Sequence, residues 1–557
     1  MPERGSRDRT LPCPPRRDRT LRLHPLVKGA AWATPVAAFS LSAPAMAASF
    51  SCGTTFDTQA RGRLLSGQIL GVNLDRIAEL EGVHAQALAP ALEDTESGPL
   101  SVEVLSALDL ELGGLAGLLT SLLDALTNQN AGIANQYAHA NAEAGTGPAS
   151  IDVGSSGAVN DATGAIDFQF GNEGPPRLAS IDLHSLLTQL GGDGVAGLIE
   201  PIAGLNLDIG AVAGIAELDG VCSIEDGGVE VLRESVERDH RLAYLRLVTE
   251  LDLVGELLAS LQAVTIDTTA ITAGLKDVLQ EVLGGAGGLV GQLLAALLDG
   301  TVNARVTLNT AALTDGSIPG DNAALQLGLG EGVVVVDVAS VLGGAYVDGV
   351  TEYFNQLGPN TRLFADAHAP TVPVADFVGA LVQDVLARLY ELIDIHITVS
   401  TLGLAELTIR GTLAQLLAGQ GTVAARLNVL LGWVEVPLGA LVAPVLIAVG
   451  ELVRTTVDGV LGTGTGGLVA NALGGLNVVL ENLFQLLSGV VALTVNAQND
   501  ETGAVPAYFA AITPEGRYDV AALHVALLEA LDPAVPSGLL NLSLGRGSVG
   551  ESTPRPA

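Results

Sequence analysis

Residues 377–400 read FVGALVQDVLARLYELIDIHITVS and contain the two periodicities that recur along the chain. In the first half, apolar residues recur every three or four positions, which is typical of one face of an α-helix. From Ile393 onward, apolar and polar residues alternate strictly, with Asp394 and His396 on the polar side. This alternation predicts a half-buried β-strand. A helix that leads directly into an amphipathic strand is therefore the unit from which we derive the fold.

The same alternation recurs at Val302–Leu308 and at Val491–Val495, each time after a stretch rich in leucine and glycine. Strands with one polar face are typical of antiparallel sheets and argue against a wholly parallel, buried sheet. The sequence therefore predicts a mixed α+β fold with extended, mostly antiparallel sheets and packed Leu/Gly-rich helices. The alternation of strands with helices leaves βαβ units open.

A weak threefold internal repeat is a further hypothesis. Each copy has a first strand, a Glu-Gly turn, a second run that enters a Leu-rich helix, and a last strand. The turns are Glu173-Gly174, Glu331-Gly332 and Glu515-Gly516. The first strands are 151–153, 306–308 and 493–495. The second runs are 181–183, 336–338 and 518–520. The last strands are 205–207, 362–364 and 540–542. We interpret Asp182, Asp337 and Asp519, the middle residues of the second runs, as helix caps or turn residues.

The repeat suggests the boundaries of the predicted units. They are a signal peptide at 1–47, an N-terminal unit at 48–222, a middle unit at 223–370, a C-terminal unit with a helical insertion at 371–550, and a truncated linker or tail at 551–557.

The first 47 residues are typical of a secretory signal. Eight basic residues precede an apolar run from Gly29 to Ala43, and Ala45-Met46-Ala47 fits the small-x-small pattern of signal peptidase. Cleavage is expected between Ala47 and Ala48, which predicts a secreted or cell-surface protein. Twin-arginine export through Arg16-Arg17 is a less favoured alternative, because Asp18-Arg19 follows where that signal prefers apolar residues.

The charge of the chain limits its partners. It has 26 basic and 61 acidic residues, of which eight basic and three acidic lie in the leader, so the remainder has 18 and 58 and a net charge of −40. Such a polyanion is repelled by nucleic acid and by anionic lipid. We interpret the acidity as a solubility device, since no D-x-D-x-D-G calcium loop is present.

Two cysteines follow the predicted cleavage site, Cys52 and Cys222. Exported proteins often pair their cysteines, so these two form a candidate disulfide. Sequence cannot show whether their Cα atoms come within ~7 Å, so a bridge and two free thiols both stay open.

Two stretches of the chain are free of charged residues and are therefore candidates for membrane spans. Residues 436–450 contain Pro437 and Pro444 and are too short, so they predict a buried helix and no integral span after signal cleavage. Residues 459–480 begin with a glycine-rich loop, and an apolar glycine-rich helix there leaves homo-oligomerisation open.

The search for chemistry finds no catalytic or metal constellation. The eight histidines show no His-x-x-x-His spacing, and neither Cys-x-x-Cys nor a Gly-x-Ser-x-Gly elbow occurs. Asp394 with His396, and Asp366 with His368, are the local Asp–His pairs, and we interpret both as solvated strand faces. The sequence thus predicts no enzyme activity and no cofactor.

Four motifs, taken in order, resemble a known family. They are 67–75 (GQILGVNLD), 135–138 (NQYA), 156–159 (SGAV) and 542–550 (LSLGRGSVG). Together they are similar to the choice-of-anchor G proteins of actinobacteria. The resemblance implies an exported surface protein whose members share this body and carry different C-terminal anchors. It implies no known enzyme activity and carries over no catalytic residues. No sorting motif follows the Pro-bearing end of this sequence, which leaves its mode of attachment open.

The expected function is that of a surface-displayed structural or adhesive protein, with cell-envelope or extracellular polymers as partners. A secreted binding module for an apolar ligand or lipid is one alternative, and a large apolar cavity would favour it. An extracellular hydrolase is the other, and convergent carboxylates in a pocket would favour that one.

Overall fold

The computed structural model describes residues 55–69, 72–74, 82–100, 134–143, 149–168, 177–190, 197, 199–200, 202–225, 229–319, 323–347, 350–365, 368–429, 432–462, 467–499, 518–527, 540–550 and 552–555. All of them belong to one unit, Ser42–Ala557, and the other unit, Met1–Leu41, lies outside the described residues. The predicted cleavage residues Ala45, Ala47 and Ala48 lie outside them as well. Export therefore stays a prediction from the sequence.

The described strands are mostly five to fourteen residues long. In chain order they are β1 (Phe56–Ile69), β2 (Val72–Asn73), β3 (Val83–Ala87), β4 (Glu93–Pro99), β5 (Asn135–Asn141), β6 (Ala149–Gly157), β7 (Arg177–Asp182), β8 (Gly204–Gly210), β9 (Val212–Glu225), β10 (Val229–Leu242), β11 (Leu245–Glu250), β12 (Thr301–Leu308), β13 (Leu325–Gly328), β14 (Val333–Asp337), β15 (Tyr346–Val347), β16 (Val350–Thr351), β17 (Thr361–Arg362), β18 (Ile393–Thr401), β19 (Ala405–Thr412), β20 (Thr422–Asn428), β21 (Trp433–Glu435), β22 (Val491–Gln498), β23 (Tyr518–Leu527), β24 (Leu540–Val549) and β25 (Thr553–Pro554).

The described helices lie between these strands. In chain order they are α1 (Leu183–Leu190), α2 (Asp252–Ala263), α3 (Thr269–Leu283), α4 (Gly288–Leu298), α5 (Val338–Val341), α6 (Glu352–Asn355), α7 (Val374–Leu392), α8 (Leu413–Leu417), α9 (Val442–Leu461), α10 (Leu468–Gly474) and α11 (Leu476–Gly489).

The strands form four larger sheets and one short hairpin. Sheet 1 has the order β17-β22-β23-β24-β1-β2, with β3 and β25 also paired to β1. Sheet 2 is β10-β9-β6-β5-β4, sheet 3 is β13-β14-β11-β8-β7, and sheet 4 is β12-β18-β19-β20-β21. Every strand pair among the described residues is antiparallel, from β1 with β24 to β20 with β21. The α+β fold with antiparallel sheets is confirmed.

The helix-to-strand unit at 377–400 is confirmed. Helix α7 buries a stripe that includes Leu381, Val385 and Leu389, and it ends where β18 begins. The apolar side of β18 is buried, and its polar side faces solvent. The period-two pattern therefore decided which face of this strand joined the core.

Strand β22, at the second alternating stretch, differs from the prediction. All eight of its residues are buried, as are all ten of β24, so these strands are covered on both faces. Leu493 and Leu542 belong to the main apolar core, and the opposite face of sheet 1 packs against sheet 2. Alternation predicted the strand correctly, but the half-buried environment was wrong, because Thr494 and Gln498 on the polar side are also only 4% exposed.

Sheets 1 and 2 meet through residues with little or no side chain. A Cβ atom on Gly62 would lie 2.0 Å from the carbonyl oxygen of Ser155, and one on Gly214 would lie 2.1 Å from that of Gly545. Ser156 Oγ bridges the two sheets, with the carbonyl oxygens of Arg63 and Arg546 at 2.8 and 2.9 Å. The backbones are thus in contact, far closer than the ~10 Å at which sheets with full side chains stack.

The three repeated aspartates have two different roles. Asp182 and Asp337 accept hydrogen bonds from the backbone N–H groups of Ser185 and Ser340, at 2.9 and 2.8 Å, at the starts of α1 and α5. The cap interpretation is confirmed for both. It is wrong for Asp519, which lies in strand β23 and is bound by Arg546 Nη2 at 2.9 Å. No described helix follows Asp519, because residues 518–527 form a strand covered on both faces.

The predicted repeat is only partly visible. Glu331-Gly332 forms the turn between β13 and β14, whereas the other two Glu-Gly turns lie outside the described residues. Strand pairing repeats only in part, since β7 pairs with β8 and β23 with β24, but β14 does not pair with β17. The predicted unit boundaries stay a prediction, although strands on both sides of them pair, as β1 does with β24 and β11 does with β8.

Of the predicted buried helix at 436–450, residues 442–450 form the first half of α9, and residues 436–441 precede this helix. Among the described residues, Gly439–Leu461 is the helical stretch long and apolar enough to cross a membrane, with a mean hydropathy of 1.7. Helix α9 buries one stripe against α3 and α8, including Leu446, Val453 and Leu461. Its opposite side bears Glu451 and Arg454, which form an ion pair at 2.6 Å.

The candidate disulfide is not resolved by the described residues. Cys222 lies in strand β9, opposite Leu232 of β10, while Cys52 lies outside the described residues. The pairing of the two cysteines stays a prediction.

Candidate binding face

Sheet 4 has one apolar and one polar face because four of its strands alternate. Ile395 and Ile397 of β18 and Leu407 of β19 are at most 2% exposed. Helices α4, α7 and α8 contact this sheet and share its apolar core. The side chains between these apolar positions therefore point away from the helices.

The polar face is an ordered grid of cross-strand neighbours. Its rows, read from β12 to β20, are Thr301–Ser400–Glu406–Arg426, Asn303–Thr398–Thr408–Ala424, Arg305–His396–Arg410–Thr422 and, from β12 to β19, Thr307–Asp394–Thr412. Hydroxyl and amide groups make up half of these positions. The face therefore offers many hydrogen-bond donors and acceptors at the regular ~4.8 Å spacing of strands.

The third row, Arg305–His396–Arg410, carries the main positive charge of this face, and we call it the cationic row. All three residues are exposed. Arg410 Nε donates a hydrogen bond to His396 Nε2 at 3.2 Å. Among the described residues, no carboxylate lies within ion-pair distance of Arg305 or Arg410. Two guanidinium groups thus stand two strands apart, ~10 Å, without an acidic partner.

The arginine of the first row is arranged differently. Arg426 Nε and Nη2 both contact Glu406 Oε2, at 3.1 and 2.5 Å. Its guanidinium also lies over the Trp433 ring, 4.8 Å from the centroid. Arg426 is therefore engaged on two sides, and the free positive charge of the face is concentrated in the cationic row.

The Asp–His pair singled out in the sequence lies on this face. Asp394 and His396 are both exposed and sit in neighbouring rows of β18. No group of three metal-ligating residues exists among the described residues. The interpretation of this pair as a solvated strand face is confirmed. Of the second pair, Asp366 lies outside the described residues, and His368 Nδ1 lies 3.4 Å from the Tyr353 hydroxyl.

A buried serine–histidine pair was missed by sequence reasoning. His524 Nδ1 lies 2.9 Å from Ser543 Oγ across β23 and β24, and both residues are at most 1% exposed. Burial lowers the pKa of His524 to about 4. A nucleophile and its base need access to substrate, and this pair has none in the described structure. No local motif could reveal it, because only strand register joins residues nineteen positions apart.

Other histidines have structural surroundings. His240 is buried, with Nε2 3.0 Å from the Phe354 carbonyl oxygen, and burial lowers its pKa. His139 Nδ1 lies 2.8 Å from Thr95 Oγ1 on the outside of sheet 2. His84 lies within hydrogen-bond distance of Gln59 and Gln86. None of these described histidines converges with another on one site.

Comparison with known proteins yields a family but no named relative. No curated protein matches the chain, and no solved structure matches it. The model of one family matches residues 60–550 of the 557-residue chain. That region contains sheets 2, 3 and 4, the candidate binding face, and sheet 1 apart from the start of β1 and strand β25. The chain belongs to the family described as Domain of unknown function (DUF8394).

Proposed function

We propose that this is an exported, non-catalytic surface protein that adheres to an anionic extracellular polymer through the polar face of sheet 4. The observation that carries the proposal is the cationic row, in which Arg305 and Arg410 lack an acidic partner among the described residues. Helices α4, α7 and α8 pack against the opposite face of this sheet.

The position of these charges argues for a partner. Arg305 and Arg410 lie on the same face of the sheet, on the two strands that flank β18, so an anion can contact both guanidinium groups. The remainder of the chain after residue 47 has a net charge of −40, and elsewhere most charged groups are acidic. A local patch of opposite sign focuses an attractive field on anionic ligands.

The neighbouring rows suit a polymer of hydroxylated units. Thr398, Thr408 and Thr422 flank the cationic row, and their hydroxyls can donate or accept hydrogen bonds. A polyanion that runs across the strands can contact Arg305 and Arg410 together. An anionic polysaccharide has both the charge and the hydroxyl groups that such a face would recognise.

Export and surface display rest on the leader and on the resemblance to choice-of-anchor G proteins. Fractionation of host cells with intact-mass analysis tests them directly. We expect to recover the protein in the envelope fraction, with the mass of a chain that begins at Ala48. Recovery in the cytoplasm with the leader intact would contradict export.

Polymer binding is tested with the full chain and polygalacturonate, with neutral dextran as the uncharged control. Arg305→Thr and Arg410→Thr together remove the cationic row and keep strand propensity. The matched control is Arg388→Gln with Arg454→Gln, which removes the same charge from exposed helix residues paired with Glu391 and Glu451.

We expect the row variant to lose affinity on the order of tenfold or more, and the control to change it by less than about twofold. Binding should also weaken with added salt, because the contacts are charged and exposed. Equal losses in both variants would show that net charge alone drives binding, and the assignment of this face would then be wrong.

A second candidate function is a module for an apolar ligand or lipid. An open depression of about 500 Å³ lies between helix α4 and the end of sheet 4, lined by Gln292, Leu404 and Val429 among others. Its volume is in the range of small-molecule sites.

A further inference from the structure

One end of sheet 4 exposes a cluster of large apolar side chains. Leu402 is 100% exposed and Leu404 is 54% exposed in the turn between β18 and β19. Val429, Trp433 and Val434, beside the turn between β20 and β21, are 38 to 46% exposed. We call these five residues the apolar tip. Scattered apolar residues on a surface need no explanation, but a contiguous group of this kind marks an interaction site.

Hydrogen bonds hold the apolar tip in place. Leu404 N–H donates to the Thr401 carbonyl at 2.9 Å, and Gly403 between them has φ +71°. Asn428 joins the two turns, since its backbone N–H donates to the Leu404 carbonyl at 2.8 Å and its Nδ2 donates to that of Gly403 at 2.9 Å. These hydrogen bonds therefore fix the turn that exposes Leu402 to solvent.

The apolar tip is free of charge in a strongly acidic chain. The nearest charged residues along its strands are Glu406, Arg426 and Glu435, and Arg426 is paired with Glu406. Glu406 lies opposite Ser400, two positions before Leu402, which sets a length of ~7 Å along the strand between the outermost residue and the first charged row. This length allows shallow burial in an apolar medium and prevents deep burial.

We propose that the apolar tip inserts into the interfacial region of a lipid bilayer. Leu402 and Leu404 reach the boundary of the acyl chains, and the Trp433 indole lies at the level of the headgroups, where its apolar ring and polar N–H both find partners. Shallow insertion of ~5–10 Å matches the charge-free length. The row of Glu406, Arg426 and Glu435 then stays in the aqueous headgroup layer.

A second copy of the chain fits the tip less well. Five side chains of ~150–250 Å² or less, partly covered already, offer less than the ~800 Å² per partner of a standard interface. Two copies, each with a formal net charge of −35, also repel each other, whereas a neutral lipid surface does not. The open depression beside Leu404 and Val429 adds apolar surface that a lipid chain can reach.

Trp433 makes the proposal directly measurable, because the chain has two tryptophans and the other is Trp32 in the leader. In the full chain with Trp32→Phe, all tryptophan emission comes from the tip. We expect phosphatidylcholine vesicles to shift this emission to shorter wavelength, and lipids brominated near the headgroup to quench it more than lipids brominated at the chain end. Unchanged emission together with no co-sedimentation would overturn the proposal.

Substitutions distinguish insertion of the apolar tip from other causes of vesicle binding. Leu402→Ser with Leu404→Ser should lower the vesicle partition coefficient at least about tenfold. Val478→Ser, which changes a 59% exposed valine on helix α11, is the matched control and should leave it unchanged. Because Leu402 is 100% and Leu404 54% exposed, circular dichroism should be unchanged and the thermal midpoint should change little, which excludes misfolding as the cause of lost binding.

Two further experiments vary the charge of the lipid and the concentration of the protein. Partial replacement of phosphatidylcholine by phosphatidylglycerol should weaken binding, since the chain is acidic. Stronger binding to the anionic vesicles, abolished by the Arg305→Thr/Arg410→Thr pair, would show that the cationic row binds lipid and that the tip does not. A blue shift that grows with protein concentration without vesicles would assign the tip to a second copy. The proposal does not depend on polymer binding, and the two sets of variants report on them separately.

Discussion

Gly154 of β6 and Gly547 of β24 lie back to back where sheets 1 and 2 meet. A Cβ atom on Gly547 would stand 2.2 Å from the carbonyl oxygen of Gly154 and 3.0 Å from the backbone nitrogen of Ala216. Both neighbours are backbone atoms, so neither can move aside as a side chain would. This contact fixes the distance between the two sheets.

Gly547→Ala should therefore destabilise the protein. One added methyl group must push two paired sheets apart, and overpacking of this kind costs about 1–3 kcal/mol or more. Gly98→Ala in β4 is the control, because nothing lies within 4 Å of its added Cβ. Urea denaturation of both variants provides the measurement, and an equal midpoint for the two would contradict this account of the packing.

The two confirmed aspartate caps should differ in strength. Asp337 is fully buried and also lies 3.6 Å from Arg246 Nε, so Asp337→Ala removes a cap and leaves a partly buried guanidinium without this partner. We expect a loss of about 3 kcal/mol. Asp182→Ala removes a partly exposed cap and should cost about 1 kcal/mol. Thermal or urea unfolding of the two variants tests the order, and a larger loss at Asp182 would contradict it.

The buried His524 should make the fold sensitive to acid. Burial lowers its pKa to about 4, below the value near 6.5 of an unfolded histidine. The unfolded state thus binds the proton first, so the contribution of His524 is complete above about pH 6.5 and is lost as the pH falls toward 4. Between about pH 7.5 and 4.5 this loss is about 2 to 3 kcal/mol.

The measurement is urea unfolding of the native chain and of His524→Gln at both pH values. The variant should lose less stability on acidification than the native chain, whatever the carboxylates of the protein contribute to both. A variant with the same dependence on pH would show that His524 is not held neutral by the fold.

Substitution of Asp394 tests the candidate binding face by a predicted rise in affinity, whereas the arginine variants are expected to lower it. It lies on the same exposed face as the cationic row, two residues from His396. Asp394→Asn removes a charge that repels a polyanion, so the affinity for polygalacturonate should rise about two- to threefold at low salt. Asp384→Asn, an exposed change on helix α7, is the control for net charge. If both variants bind equally well, the polymer does not contact the face of sheet 4.

Much of sheet 4 could be predicted from sequence. The alternation after Ile393 indicated the strand, its buried side and its polar side, and the helical spacing before it indicated α7. Asp182 and Asp337 could likewise be assigned as caps, because capping depends on neighbours three residues away. These features are local, so the residues that decide them are close in the chain.

The environment of β22 to β24 could not be predicted in this way. Period two distinguishes two faces, but it cannot show that the polar face is buried as well, as it is at Thr494 and Ser543. The same limit explains why Asp519 was misassigned, since its partner Arg546 lies on the neighbouring strand. The cationic row could not be predicted either, because Arg305 and Arg410 are far apart in sequence. They are brought onto one face only because β12 and β19 both pair with β18.

The sequence by itself determined the helix-to-strand unit of α7 and β18, the apolar side of β18 and the two local caps, since these depend on periodicity and on short-range hydrogen bonds. Tertiary structure alone decided the close contact of Gly154 with Gly547, the buried His524–Ser543 pair and the assembly of the cationic row and the apolar tip. Each of these depends on strand register, which places side chains from distant segments within a few ångströms, and register is set by the packing of the whole core.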